Sequence, residues 1–337
     1  MIKIKVIFQN LQNFIKKNKR ILSLTFQLLF SILLIILLFR LINIPEMFML
    51  FKNINIYYFL LLLLLITLDR IFMAYKWHLL LKIKNLDFSL FDAVKTYYIA
   101  TFIGFFLPTT VGGDVVRVFK LQQEKSKGVD ALSSIVVERI LGFIASAILA
   151  SITTLLLIIL FKLRIWRFLW IAIAVFLGFT IIIFISLNEF IIKKIEKSKR
   201  LSKNFILVRF QKFYKSYSQY KNHKLVLAVF LILSIIEQFA PAIGNYLASL
   251  ALNINVPFIY FLLIMPLIQL ISRIPVSFEG FGVSEGLLVY FFALFGFSKT
   301  GAFSIGLLGH IAIILAALPA LFFYFKDIKT SFQKNKA

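Results

Sequence analysis

Long apolar runs alternate with short polar stretches from residue 21 almost to the end of the chain. The runs cover 21–40, 54–74, 131–160, 166–187, 225–251, 257–273, 286–298 and 301–325. A helix rises about 1.5 Å per residue, so about 20 apolar residues cross the roughly 30 Å of a bilayer's hydrocarbon. No polar stretch between the runs is long enough for an independent soluble domain. Residues 88–121 are apolar too, but Pro108, Gly112 and Gly113 interrupt them. Proline lacks the backbone donor and glycine weakens a helix, so the chain must break there. Broken backbone at membrane depth survives only inside protein or beside a wet cavity. The pattern predicts an all-α polytopic membrane protein with about eight transmembrane helices and one re-entrant hairpin over 88–121.

Composition strengthens this reading: 61% of residues are hydrophobic and mean hydropathy is +0.94, where a soluble chain is roughly half apolar. The net charge of +24 adds orientation. Basic residues gather in 1–20, in 189–224 and in 326–337, which divides the chain into a basic N-terminus, one membrane domain over 21–325 and a basic tail. Lysine and arginine mark cytoplasmic loops and anionic headgroups, so this placement predicts a plasma-membrane protein with both termini and 189–224 inside. Nucleic acid is not an expected partner. In 189–224, Phe205, Ile206, Phe210, Phe213 and Tyr214 lie among the basic residues, as in an amphipathic helix on a membrane surface. Lys162, Arg164 and Arg167 are the exception, since this orientation leaves them outside. Trp77, Trp166 and Trp170 fall near span ends, where tryptophan anchors at the interface.

Candidate chemistry lies in charged and broken segments within the apolar background. In Leu107–Arg117, Pro108, Thr109, Gly112 and Gly113 lead into Asp114 and Arg117, three residues apart and able to pair at the start of a returning half-helix. In Arg273–Gly286 the same ingredients recur as Pro275, Ser277, Gly280, Gly282, Glu279 and Glu285. Broken segments in corresponding halves of a chain point to a transport site. Asp69, Arg70, Glu138, Arg139, Glu237 and His310 also lie within or beside spans. A charge at the bilayer centre costs about 2.5 kcal/mol or more, so such groups should pair or face a polar cavity. His310 reads as a hydrogen-bonded interior histidine. Cysteine is absent and there are three histidines without ligand spacing, so neither thiol chemistry nor a metal site is expected. No phosphate-cradling glycine loop and no GxSxG occur, and no cofactor is expected.

At these motifs the chain resembles the lysylphosphatidylglycerol synthase transmembrane, flippase-like family. The resemblance rests on Arg70 with Trp77, Leu107–Thr109 running into Gly112–Asp114 and Arg117, Glu138–Arg139, and Pro275, Gly280, Gly282 and Glu285. It implies a helical domain that handles anionic, aminoacylated or polyprenyl-linked lipids. Full-length synthases of that family carry a C-terminal aminoacyl-transferase domain, which is not found before Ala337, so the synthase reaction is not expected here. Val276–Glu279 departs from the family's more glycine-rich run.

The expected function is lipid binding and translocation rather than catalysis. Arg117, Arg139 and Arg273 would hold a lipid phosphate through their planar forks. Asp114, Glu138 and Glu285 would balance them, with Arg70 and Glu237 in the same polar cavity. The alternatives are a membrane enzyme or enzyme subunit acting on lipid headgroups or lipid-linked sugars, and an ion-coupled solute transporter. Expected partners are membrane lipids, with a second copy or a membrane enzyme left open.

Overall fold

The structure is a computed structural model that describes residues 25–104, 112–125, 127–188, 190, 205–274, 277, 280–321 and 323. The basic terminal segments, most of 189–204, and Pro108, Thr109, Pro275 and Glu279 lie outside the described residues. Every element is helical: α1 (Thr25–Phe39), α2 (Ile44–Lys52), α3 (Ile56–Lys82), α4 (Leu90–Gly104), α5 (Gly112–Lys125), α6 (Gly128–Phe161) and α7 (Trp166–Ser186). After these come α8 (Phe205–Ser218), α9 (Lys224–Glu237), α10 (Phe239–Ala251), α11 (Phe258–Ser272), α12 (Val283–Leu294) and α13 (Lys299–Ala317).

Five helices are long and apolar enough to cross a bilayer: α3, α6, α7, the nearly continuous α9–α10 pair, and α13 extended to Leu321. A sixth candidate span starts with α1, whose apolar run begins at residue 21, while α2 turns away from it by 94°. The all-α polytopic expectation holds. Apolar side chains such as Phe26, Leu64, Ile159, Phe184 and Ile232 point outward, an exposed belt that hydrocarbon would cover.

One end of the bundle, here end A, gathers α2, the starts of α3, α7, α11 and α13, and the ends of α6, α10 and α12. Asn55 N donates to Ala251 O at 2.7 Å and Asn43 N to Thr300 Oγ1 at 3.0 Å. The Phe161 ring packs tilted against Tyr260 at 5.5 Å and edge-on against Phe295 at 5.3 Å. Three helices begin at this end with side-chain caps, in which Asn43 accepts from Glu46 N, Asn55 from Tyr57 N and Ser298 from Gly301 N. Such caps satisfy backbone donors that the first turn cannot.

End B gathers the ends of α3, α5 and α7, the starts of α4, α6 and α9, and α8. The tyrosine face of α8 docks it there: Tyr214 Oη donates to Ser186 O at 2.5 Å and Tyr217 Oη lies 2.7 Å from Ser186 Oγ. Ser216 Oγ donates to Asp130 at 2.6 Å. Lys84 Nζ reaches Ser216 O, and Gln219 Oε1 at 3.0 Å.

The expected spans at 257–273 and 286–298 appear as α11 and α12, and neither reaches across alone. With 15 and 12 residues they rise about 22 and 18 Å. Their outer ends meet at end A, where Tyr260 lies 4.7 Å from Phe295 and 5.0 Å from Phe297. They form a hairpin entering from end A. The anticipated hairpin, α4–α5, enters from end B. Its limbs nearly touch, since a Cβ on Gly113 would fall 2.9 Å from Ala100 O. Among the described residues this makes five to six candidate crossings and two hairpins.

Candidate functional site

Two helices, α5 of the first hairpin and α6, build a buried charge cluster. The opening turn of α5 carries Asp114 and Arg117, and α6 presents Glu138 and Arg139. Arg117 is 5% exposed, too little for water to solvate its charge. Its two terminal nitrogens donate to Asp114 Oδ1 at 2.5 Å and Glu138 Oε2 at 2.7 Å. Its guanidinium lies 4.7 Å from the Tyr97 ring and 4.9 Å from Trp77, which adds cation–π attraction. Tyr97 Oη donates to Glu138 Oε1 at 3.2 Å. Arg139 Nε donates to Asp114 Oδ2 at 2.5 Å. Asp114 therefore joins both arginines. Trp77 is fully buried and donates to Ser134 at 3.0 Å, so it is part of the core rather than an interface anchor. Trp166 and Trp170 are exposed at end A.

The second hairpin brings Arg273 to the same depth. As the residue closing α11, Arg273 reaches α6, where its Nη1 donates to Gly142 O at 3.0 Å. On α3, Arg70 lines the same cavity wall as Arg273, and its Nη1 donates to Met73 Sδ at 3.7 Å. Among the described residues, no carboxylate lies within ion-pair distance of Arg70 or Arg273. Glu237 on α9 is bound to Lys76, a buried lysine that also donates to Ser234 at 3.0 Å.

Glu285 belongs to a separate cluster. It accepts from Gly282 N at 2.8 Å and from Ser284 Oγ at 3.0 Å, and its Oε1 lies 2.5 Å from His310 Nε2 on α13. Phe281 stacks on His310 at 3.9 Å. Gly282 has a φ of +82°, and a Cβ there would sit 2.8 Å from Leu34 Cβ, so the turn lies flush against α1. Gly280 also takes a positive φ of +80°. Ser277 is buried with no hydrogen-bond partner among the described residues.

Two adjoining cavities lie between the hairpins. One of about 400 Å³ reaches Asp114, Glu138 and Arg139. The other, of about 250 Å³, reaches Asp69, Gln238 and Asn245. Arg70, Met73, Glu237, Gln269 and Arg273 line both. A chamber with two guanidiniums on its shared wall and carboxylates around them suits an anion that also carries polar groups.

The structure brings Arg70, Asp114, Arg117, Glu138, Arg139, Glu237 and Arg273 together and leaves Glu285 apart. Sequence reasoning missed Lys76, Tyr97 and Gln269. Lys76 stands seven residues from Asp69 on α3, and that charge spacing along one helix was the available signal. Tyr97 and Gln269 gave none.

Residues 24–320 match the family model described as the lysylphosphatidylglycerol synthase TM region. No curated protein and no solved structure matches the chain.

Proposed function

We propose, from the premise that the chain belongs to the lysylphosphatidylglycerol synthase TM region family, that this multi-pass membrane protein moves anionic lipids between bilayer leaflets. A lipid phosphate binds between Arg70 and Arg273 while its tails stay in the surrounding hydrocarbon. The observation that carries this reading is the state of those two arginines. Arg117 and Arg139 already hold carboxylates, so in this reading the phosphate clamp falls to Arg273 with Arg70. Arg70 and Arg273 line the shared wall of both cavities without a carboxylate partner among the described residues. Both side chains are partly buried, where a charge favours a counter-charge, and a phosphate accepts the two-pronged bonds of guanidinium. End B, with its many lysines, faces the cytoplasm of the plasma membrane.

The test is leaflet exchange of a labelled anionic phospholipid in liposomes containing the purified chain. Charge-assisted hydrogen bonds contribute about 1.5–3 kcal/mol, so Arg70→Lys or Arg273→Lys should slow exchange by about 10- to 100-fold while the protein stays folded. Wild-type rates in both variants would remove the clamp. Transport of a soluble substrate without lipid exchange would remove the lipid reading altogether.

A further inference from the structure

The two halves of the chain repeat one plan in opposite orientations. The first runs span α1, surface helix α2, span α3, hairpin α4–α5, span α6. The second runs span α7, surface helix α8, span α9–α10, hairpin α11–α12, span α13. Surface helix α2 and hairpin α11–α12 belong to end A, while α8 and hairpin α4–α5 belong to end B. Two pairs of counterparts agree in length, with 27 residues in α3 against 28 in Lys224–Ala251 and 15 each in α4 and α11, while α6 is longer than α13.

The charged residues keep the same register. Asp69 is the fourteenth residue of α3, and Glu237 the fourteenth of the span that starts at Lys224. Asp114 is the third residue of α5 and Glu285 the third of α12. Arg139 is the twelfth residue of α6 and His310 the twelfth of α13. The bonds match as well: Asp114 binds Arg139, and Glu285 binds His310. In each half, the first turn of the returning limb is tied by a carboxylate to the middle of the span that follows. Three registered pairs and one repeated bond make a stronger pattern than matching lengths alone.

We propose that the chain is an inverted repeat whose hairpins act as matched gates, with Asp114–Arg139 and Glu285–His310 as equivalent latches. The gating part rests on the translocation reading above. Releasing the Glu285–His310 latch lets α11–α12 move and opens the cavity toward end A. Releasing the Asp114–Arg139 latch opens it toward end B. Arg70 on α3 stays in place while Arg273, at the inner end of α11, moves with its gate, so access to the headgroup site alternates as inverted repeats permit. This gives Glu285 and His310 a gating role at a distance from the phosphate. The first latch has an addition without a counterpart, since Arg117 corresponds to Leu288 in α12.

The experiment uses the absence of native cysteine and needs no lipid substrate. In sealed liposomes, a bulky maleimide–polyethylene glycol reagent maps the ends of the hairpins. Asp87→Cys and Lys127→Cys should react from one side, Asn255→Cys and Lys299→Cys from the other, and Ser277→Cys from neither. Modification of Ser277→Cys from the Asp87 side would make α11 and α12 two crossings and overturn the repeat. A small impermeant thiol reagent then probes Gln269→Cys in the cavity. With Glu285→Gln added, its reaction should quicken about tenfold from end A and slow from end B. With Asp114→Asn added, the sides should exchange. A variant that merely loosens the fold quickens both sides, and that result, like no change on either side, overturns the latches. Lipid exchange assayed on the same liposomes separates failure of the gates from failure of the lipid reading.

Discussion

Arg117 and Arg273 look alike in a sequence and differ in what they touch. Arg117 is clasped by two carboxylates and two rings, so its removal strands two acids in a buried site. Losing one partner of a buried ion pair costs about 3–5 kcal/mol. Arg117→Gln should therefore lower the melting temperature in detergent sharply. Arg273→Gln should leave melting nearly unchanged and abolish lipid exchange, because Arg273 meets no carboxylate among the described residues. Equal melting losses in the two variants would assign both arginines to the same structural work. The Asp114–Arg117 pair was legible because a three-residue spacing on a helix fixes the contact. The Lys76–Glu237 pair was not, because its members lie 161 positions apart and only the packing of α9 on α3 joins them.

The first hairpin depends on how closely α4 and α5 approach. Gly113 leaves room for Ala100 O where a Cβ would intrude at 2.9 Å on backbone that cannot rotate aside. Gly113→Val should splay the limbs and stop lipid exchange while membrane insertion persists. Gly178→Ala is the contrasting change, since a Cβ there meets nothing within 4 Å. It should stabilise α7 by about 0.5–1 kcal/mol, and identical melting shifts in the two variants would refute the close-approach argument. The docking of α8 carries a pH signature. Beyond the end of α3, burial pushes the Lys84 ammonium down to about 8, with Asp130 pulling the other way. Between that value and the unstructured 10.5, the unfolded chain holds more protons, so stability rises with pH. Melting followed from pH 8 to 10 should climb more steeply in wild type than in Lys84→Met, and parallel curves would contradict it. The first hairpin was visible in the sequence through its proline and paired glycines. The second was not, because apolar runs near the length of a span read as crossings until their outer ends are seen to meet.

Across the whole molecule, hydropathy placed the spans and basic residues suggested an orientation, while the meeting of opposed hairpins at one chamber came from the fold. That geometry also bears on the orientation. An inverted repeat offers each membrane face a hairpin and a surface helix, so architecture alone leaves the two ways round nearly equivalent. Charge must decide between them. End B carries Lys82, Lys84, Lys120, Lys125, Lys127, Arg209, Lys212, Lys215, Lys221 and Lys224, against Arg40, Lys52, Lys162, Arg164, Arg167 and Lys299 at end A. The bias predicts end B inside, and it is modest enough that end A's own basic turn at 162–167 works against it. Ser216 on the inner face of α8 is buried and would report poorly, whereas Lys215 is exposed on the same helix. In intact cells an impermeant maleimide should label Asn255→Cys and spare Lys215→Cys until the membrane is permeabilised. Replacing Lys162, Arg164 and Arg167 with glutamine should leave that result unchanged, because it deepens the existing asymmetry. Labelling of Lys215→Cys from outside would place end B outward and show that something other than basic residues orients the repeat.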